Sequence, residues 1–174
     1  MHEELHESRD ANEDRGLNTI KPSPFGGVLI FVAIGLIFSL VQNLGTLLGN
    51  LEPFRKDHVW DRLTTPGSIP YHPYWKPVLL FELASSSAIL GLNALAVVLF
   101  FRKQQVFPKL IVIVIPTIFI LILIGYYLSG LIPAIAESPD YSKQQSVLIV
   151  RFVALHVWIP YFLLSERVKK TFVR

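Results

Sequence analysis

Residues 110–136, LIVIVIPTIFILILIGYYLSGLIPAIA, contain no charged side chain over 27 positions. A helix that rises 1.5 Å per residue needs about 20 mainly apolar residues to cross the roughly 30 Å of bilayer hydrocarbon. Three other stretches are long and apolar enough to do the same, at residues 24–48, 77–101 and 144–165. Backbone groups in lipid must be satisfied within the segment, so such runs cross as helices. The sequence therefore predicts an all-α fold, an integral membrane four-helix bundle.

The composition of the 174 residues agrees with a membrane environment. Hydrophobic residues make up 52% and charged residues 17%, whereas a soluble domain carries about 25% charged residues. The chain has no cysteine, which excludes disulfides, thiolate metal sites and cysteine nucleophiles. The net charge is +3, but the basic residues flank the apolar runs and do not cover one face. We therefore expect a lipid bilayer, and no nucleic acid, as partner.

The distribution of Lys and Arg beside the helix ends predicts the orientation. With four spans, both termini and the middle loop share one side, and that side carries ten basic residues against five on the other. Short basic loops stay in the cytoplasm. Both termini are therefore predicted to be cytoplasmic.

The two tails are polar. Residues 1–22 are acidic and are predicted to form a disordered cytoplasmic tail, because they lack the apolar surface that ordering requires. Residues 23–174 are predicted to form a single domain. Its last segment, 165–174, is expected to contact anionic lipid through its basic side chains. These are Arg167, Lys169, Lys170 and Arg174.

The long outer loop, residues 49–76, is rich in proline and aromatic residues. Proline fixes φ and removes a backbone donor, so a compact, turn-rich cap is predicted here instead of a helix. The candidate cap residues are Trp60, Tyr71, Tyr74 and Trp75. Tyr and Trp also favour the headgroup level, and a simple aromatic belt is an equally good interpretation.

Two charged side chains lie inside the predicted spans, Glu82 and Arg151. Each is five residues from the predicted outer start of its helix, about 7 to 8 Å deep, which predicts an ion pair. Together with Gln42, Asn43, Ser86 and Tyr127, the two charges form a candidate intramembrane polar cluster, interpreted as an outward-facing pocket. A structural clamp, or an Arg151 that extends to the interface, explains the same residues.

Small residues of the second span indicate a second kind of surface. Ala84, Ala88, Gly91 and the serines at 85–87 are typical of a face on which helices pack closely. Motifs for catalysis are absent, since the chain has no Gly-rich phosphate loop, GxSxG or HExxH. We expect no catalytic residue, no cofactor and no metal site.

Two blocks of sequence go beyond composition: WDRLTTPGSIPYHPYWKPVLLFE at 60–82 and WIPYFLLSERVKKTFVR at 158–174, with Phe25, Gly26 and Gly27 as a weaker third. In these blocks the chain resembles the bacterial family known as domain of unknown function 2569 (DUF2569). The resemblance implies a small four-span protein of the bacterial inner (cell) membrane. It implies no activity, since none is established for the family.

These observations leave three functional hypotheses. The leading one is a non-enzymatic accessory or assembly component that binds a membrane partner or lipid through its cap and small-residue faces. The alternative is a small carrier or channel-like protein, in which the polar cluster lines an outward-facing site. Four helices make a thin wall for a pore, so the alternative implies a homo-oligomer. A membrane enzyme acting on lipid ranks last.

Overall fold

A computed structural model describes residues 28–166, 168 and 172 of the chain. Internal contacts divide the chain between Phe31 and Val32, and the packing described below concerns the unit that begins at Val32. The described residues form helices and turns and contain no strand, which confirms the all-α prediction. The helices are α1 (Val28–Arg55), α2 (Val59–Thr64), α3 (Trp75–Phe101), α4 (Val106–Ser129), α5 (Pro133–Ala136) and α6 (Pro139–Leu164).

Four of these helices, α1, α3, α4 and α6, are long and apolar enough to cross a membrane, as predicted. The described packing is closest between α3 and α4 and between α4 and α6. The α3–α4 connection is a four-residue turn in which Lys103 adopts a left-handed conformation, with φ of 53°. Its neighbour Gln104 donates its backbone N–H to the carbonyl of Leu99 at 3.2 Å, which closes the end of α3.

The loop after α1 is shorter than the predicted 49–76. Helix α1 continues through Pro53 to Arg55, and α3 begins at Trp75. The residues between them contain one helical segment, α2, where the prolines and aromatics predict turns alone. A six-residue helix fits because α2 lies in the proline-free interval between Pro53 and Pro66.

The third predicted span, 110–136, is divided between two helices. Helix α4 ends at Ser129, and Ile132 is extended, with φ of −101° and ψ of 111°. The cause is Pro133, because a proline disfavours helical conformation in the residue before it.

Helix α6 begins five residues before the predicted 144. The Ser138 side chain caps its first turn by accepting the backbone N–H of Tyr141 at 3.3 Å, and Pro139 occupies the first helical position. Ser at the cap, Pro at the first position and Asp140 in the first turn are favourable at a helix start. The polar residues before 144 therefore belong to the helix.

Aromatic pairs fix the relative position of α4 and α6 along their length. Tyr126 stacks on Tyr141 with 4.4 Å between ring centroids, Phe119 lies 5.8 Å from Phe152, and Phe107 lies 5.7 Å from Phe162. The partner numbers rise on α6 as they fall on α4, so the two helices are antiparallel and in register. We call the end with Tyr126 and Tyr141 the loop end, and the end with Phe107 and Phe162 the tail end.

The tail end is an apolar cluster of aromatic rings. Phe100 and Phe107 are both fully buried and lie 5.2 Å apart. Phe172 packs on both, at 5.6 Å and 4.8 Å, and Val168 beside it is also fully buried. The chain beyond α6 therefore supplies apolar side chains to the core.

Candidate functional site

Glu82 lies in the second turn of α3, half-buried, where three helices meet. Its Oε1 accepts a hydrogen bond from the hydroxyl of Ser129 on α4 at 2.9 Å, and that serine is buried. Its backbone carbonyl accepts from Asn50 Nδ2 on α1 and from Ser85 Oγ, each at 3.2 Å. The residue therefore joins α1, α3 and α4 at the loop end.

A second polar link joins α1 to α3, three helical turns from Glu82. Asn93 is buried and donates its Nδ2 to Ser39 Oγ at 2.6 Å, and Ser39 donates in turn to the carbonyl of Leu36. Ser39 and Asn50 are eleven residues apart on α1, as are Glu82 and Asn93 on α3. Eleven residues make three helical turns, so both links lie on one face of each helix. They set α1 antiparallel to α3.

The ion pair predicted between Glu82 and Arg151 is not formed in the part of the chain that the structure describes. Ion pairs do form in that range, for example between Lys56 and Glu52 and between Lys143 and Asp140, but neither of these includes Glu82 or Arg151. The reason is the early start of α6. Glu82 bonds to Ser129 at the loop end, where α4 meets Tyr141, and Arg151 lies ten residues further along α6, roughly 15 Å away.

Gln42, Asn43 and Tyr127 of the predicted cluster also lie apart from the Glu82 carboxyl, whereas Ser86 lies on its side of α3. Gln42 is exposed and Asn43 half-exposed, and the α1–α3 links place both opposite residues 89–90 of α3, roughly 10 Å from the level of Glu82. Tyr127 is 66% exposed and directed away from the bundle. Ser86 is buried on the Glu82 side of α3, and its hydroxyl donates to the carbonyl of Leu83.

Asn50 and Tyr141 are contacts that the sequence interpretation missed, whereas Ser129 is one of the polar residues that it places near the outer end of the third span. The Tyr141 ring is nearly parallel to that of Tyr126, at 7°, and its hydroxyl donates to the Tyr126 carbonyl at 3.3 Å. Gly130 lies against this hydroxyl, and a Cβ there would overlap it. The capping sequence Ser138-Pro139-Asp140 is the signal that could have located Tyr141 on a helix.

The four cap residues do not form a single cluster. Trp60 stacks on Phe54 at 4.8 Å, and Trp75 donates its indole N–H to the carbonyl of Pro70 at 3.0 Å. Tyr71 is half-buried, and Tyr74 is exposed near His72. Beside Trp60 is an open depression of 320 Å³, lined by Phe54, Arg55, Lys56, Asp57, His58, Trp60 and Asp61.

The predicted lipid contacts Arg167, Lys169, Lys170 and Arg174 lie outside the described residues. The described residues between them, Val168 and Phe172, are buried against the aromatic cluster. In the range that the structure covers, no group of three His, Asp or Glu side chains could hold a metal ion.

Four apolar helices of membrane-spanning length define a multi-pass membrane protein. The model of one protein family matches residues 22–173, and its description is "Protein of unknown function (DUF2569)". The chain belongs to this family, as the sequence blocks predicted. No curated protein and no solved structure matches the chain.

Proposed function

We propose that this protein is a non-enzymatic component of a membrane assembly, and that it binds a partner through the small-residue face of α3. The proposal includes cytoplasmic termini and the inner membrane of a bacterium as its location. The observation that carries it is an exposed row of small side chains that takes no part in the hydrogen bonds joining α3 to α1 and α4 in the described part of the chain.

The small-residue face consists of Ala84, Ser87, Ala88 and Gly91, all exposed. Within it, Ala84 and Ala88, and likewise Ser87 and Gly91, stand four residues apart, the spacing that lets two membrane helices approach closely. A Cβ added at Gly91 would meet no atom within 4 Å. The hydrogen bonds that join α3 to α1 and α4 use other residues, Glu82 and Asn93.

The serine hydroxyls of this region are bonded within α3. Ser86 and Ser87 both donate to the carbonyl of Leu83, at 3.1 Å and 2.7 Å. His156, the one histidine in a predicted span, has its Nδ1 2.9 Å from the Phe152 carbonyl of its own helix. This arrangement supports a packing role for the serines and a non-enzymatic protein.

The carrier hypothesis requires polar side chains gathered around Glu82. Gln42, Asn43 and Arg151 lie at a different level of the bundle, and the Glu82 carboxyl is bonded to Ser129. Partner binding through α3 uses an exposed surface that exists in the described structure. We therefore keep it as the proposed function.

Native mass spectrometry of the protein, extracted at native abundance in lipid nanodiscs, tests the proposal. The expected result is a defined complex with a second membrane protein, lost in Gly91→Leu because the larger side chain fills the small-residue face. Gly91→Leu adds its bulk to open space and replaces a helix-interior glycine, so the fold of the chain itself should be kept.

Gly45→Leu is the matched control. Gly45 is also exposed in a helix interior with open space beside it, but it lies on α1. The complex should survive this change. A wild-type chain found only as a monomer, or a complex that survives Gly91→Leu, would contradict the proposal.

The orientation has its own test, because the chain has no cysteine of its own. Ile69→Cys reports on the loop after α2, and Arg102→Cys reports on the α3–α4 turn; both positions are exposed. In intact spheroplasts an impermeant maleimide should label the cysteine at 69 and spare the one at 102. The reverse pattern would place the termini outside.

A further inference from the structure

Arg151 lies near the middle of the bundle, on the level of the most apolar helix. Its neighbour Phe152 packs on Phe119, which stands close to the centre of α4. The most apolar 18-residue stretch of α4 has a mean hydropathy of 2.7, the highest of the four candidate spans. A helix of this composition must be centred in hydrocarbon, so Arg151 is at mid-depth in the bilayer.

The guanidinium of Arg151 has no partner among the residues that the structure describes. The side chain is exposed, and the hydrogen bonds and ion pairs found in that range do not include it. A charged side chain at mid-depth is costly unless it meets a counter-charge or water. Half the hydrocarbon thickness is about 15 Å, which exceeds the length of an arginine side chain, so Arg151 cannot extend to the headgroups.

The residues that the structure describes do not supply the counter-charge. The acids of the described residues lie towards the ends of the bundle, at Glu52, Asp57, Asp61, Glu82, Glu137, Asp140 and Glu166. The remaining acids, at positions 3–14, precede the first span in the sequence. A second copy inserted in the same orientation would keep each acid at the same depth, so it would not bring one to Arg151 either.

The surface around Arg151 has the spacing and side-chain sizes that allow another helix to pack on it. Val147, Arg151, Ala154 and Trp158 follow one another at spacings of four, three and four residues, which places them on one stripe of α6. We call this the Arg151 stripe. Val147 and Arg151 are exposed, and Ala154, next to Arg151 along the stripe, is small enough to let another backbone approach.

We propose that the Arg151 stripe docks a transmembrane helix of another protein, one that carries an Asp or Glu carboxylate at mid-depth. The guanidinium fork matches a carboxylate in a bidentate pair, and hydrocarbon removes the water that would compete for it. This inference rests on the proposed function and deepens it, since it states the chemistry of the partner and adds α6 to the surface that binds it.

Site-specific photocrosslinking in the full chain, in its native membrane, tests this docking. A photoreactive residue at Ala154, on the stripe, should crosslink to an apolar segment of another protein that contains an Asp or Glu. The matched control is Val153, which is 57% exposed but points to a different side of α6. Crosslinks from 154 that reach only lipid, a second copy, or a segment without a carboxylate would overturn the proposal.

Charge exchange gives the second measurement. Arg151→Glu should reduce the crosslink yield at 154 at least tenfold, and replacing the identified partner acid with Arg should restore it. Arg151→Leu should also reduce the yield while raising the melting temperature of the purified chain, because an unpaired charge has been removed. A lower melting temperature in Arg151→Leu would instead indicate a role within the fold and overturn the docking proposal.

The two proposals fail in different ways. A complex that needs Gly91 but is indifferent to Arg151→Leu would leave partner binding through α3 intact and overturn the docking on α6. A chain without any heteromeric complex would overturn both.

Discussion

The two ends of the bundle are held by different kinds of contact. At the loop end, hydrogen bonds from Asn50 and Ser129 converge on Glu82, and Tyr141 bonds to Tyr126. At the tail end, the buried rings of Phe100 and Phe107 pack on each other and on Phe172. A hydrogen bond requires a particular direction between donor and acceptor, whereas ring packing depends on close contact between apolar surfaces. Interhelical hydrogen bonds of Glu82 and Tyr141 therefore characterise the loop end, and buried rings supply much of the apolar volume at the tail end.

The largest expected effect is at the tail end. Phe107→Ala removes a fully buried ring that contacts Phe100, Phe162 and Phe172. The free energy of unfolding should fall by about 3 kcal/mol, the low end for such changes. In lipid the ring gains little from leaving water, so the loss comes mainly from the cavity that the missing ring leaves. SDS titration in mixed micelles would measure it. Ile113→Ala on the same helix, at a 65% exposed position, should change stability little. Equal losses of stability in the two variants would show that the aromatic cluster contributes no more than an exposed position of the same helix.

The next effect is steric and belongs to the loop end. Gly130→Ala places a Cβ against the Tyr141 hydroxyl, so the free energy of unfolding should fall by about 1 to 3 kcal/mol. Gly130 has an ordinary φ of −65°, so backbone conformation does not require the glycine. Tyr141→Phe removes the hydroxyl and should restore part of the loss in the double variant. Losses that simply add would show that the two residues do not meet.

A smaller effect is expected from the polar junction itself. In a double-mutant cycle between Glu82→Gln and Ser129→Ala, the coupling energy should be about 0.6 to 1.7 kcal/mol, as found for hydrogen bonds between membrane helices. The same cycle between Glu82→Gln and Arg151→Leu should give about zero, because these residues are far apart. A larger coupling to Arg151 than to Ser129 would contradict the contact of Glu82 with Ser129 and its separation from Arg151.

The smallest effect distinguishes two ways of removing the Asn93–Ser39 bond. Asn93 Oδ1 is buried without a hydrogen-bond partner in the described structure. Ser39→Ala leaves the Asn93 amide with two unmet groups and should cost about 1 kcal/mol, whereas Asn93→Leu removes both groups and should be nearly neutral. Thermal denaturation of the two variants in one detergent would compare them. A larger loss for Asn93→Leu would show that the amide contributes more than this bond.

The fold was predictable because bilayer thickness limits how a chain can cross. Four runs such as 110–136 admit few alternatives to helices, and all four appear. The same reasoning predicts a pairing of Glu82 with Arg151 that the described structure does not form. Depth counted from the first apolar residue assumes that each helix begins at the membrane surface, and α6 begins earlier, at Pro139. Its Ser138 cap is a local signal that hydropathy does not contain.

The partners of Glu82 illustrate the same limit. The alignment of Glu82, Ser86 and Asn93 on one face follows from helical periodicity, and the structure places all three towards the inside. Which residues oppose them depends on the relative shift of neighbouring helices, and a single sequence carries no measure of that shift. The bonds of Asn50 and Ser129 to Glu82 could therefore be identified only from the packed bundle.

The equal eleven-residue spacing on α1 and α3 also limits how the length of this protein can vary. Inserting one residue between Ser39 and Asn50 would rotate Asn50 by about 100° and move it 1.5 Å along the axis, so one of the two links would break. A deletion between Glu82 and Asn93 would have the same effect on the other helix. Insertions and deletions compatible with the fold therefore belong in the connections, such as residues 56–74, and not in the stretches 39–50 and 82–93.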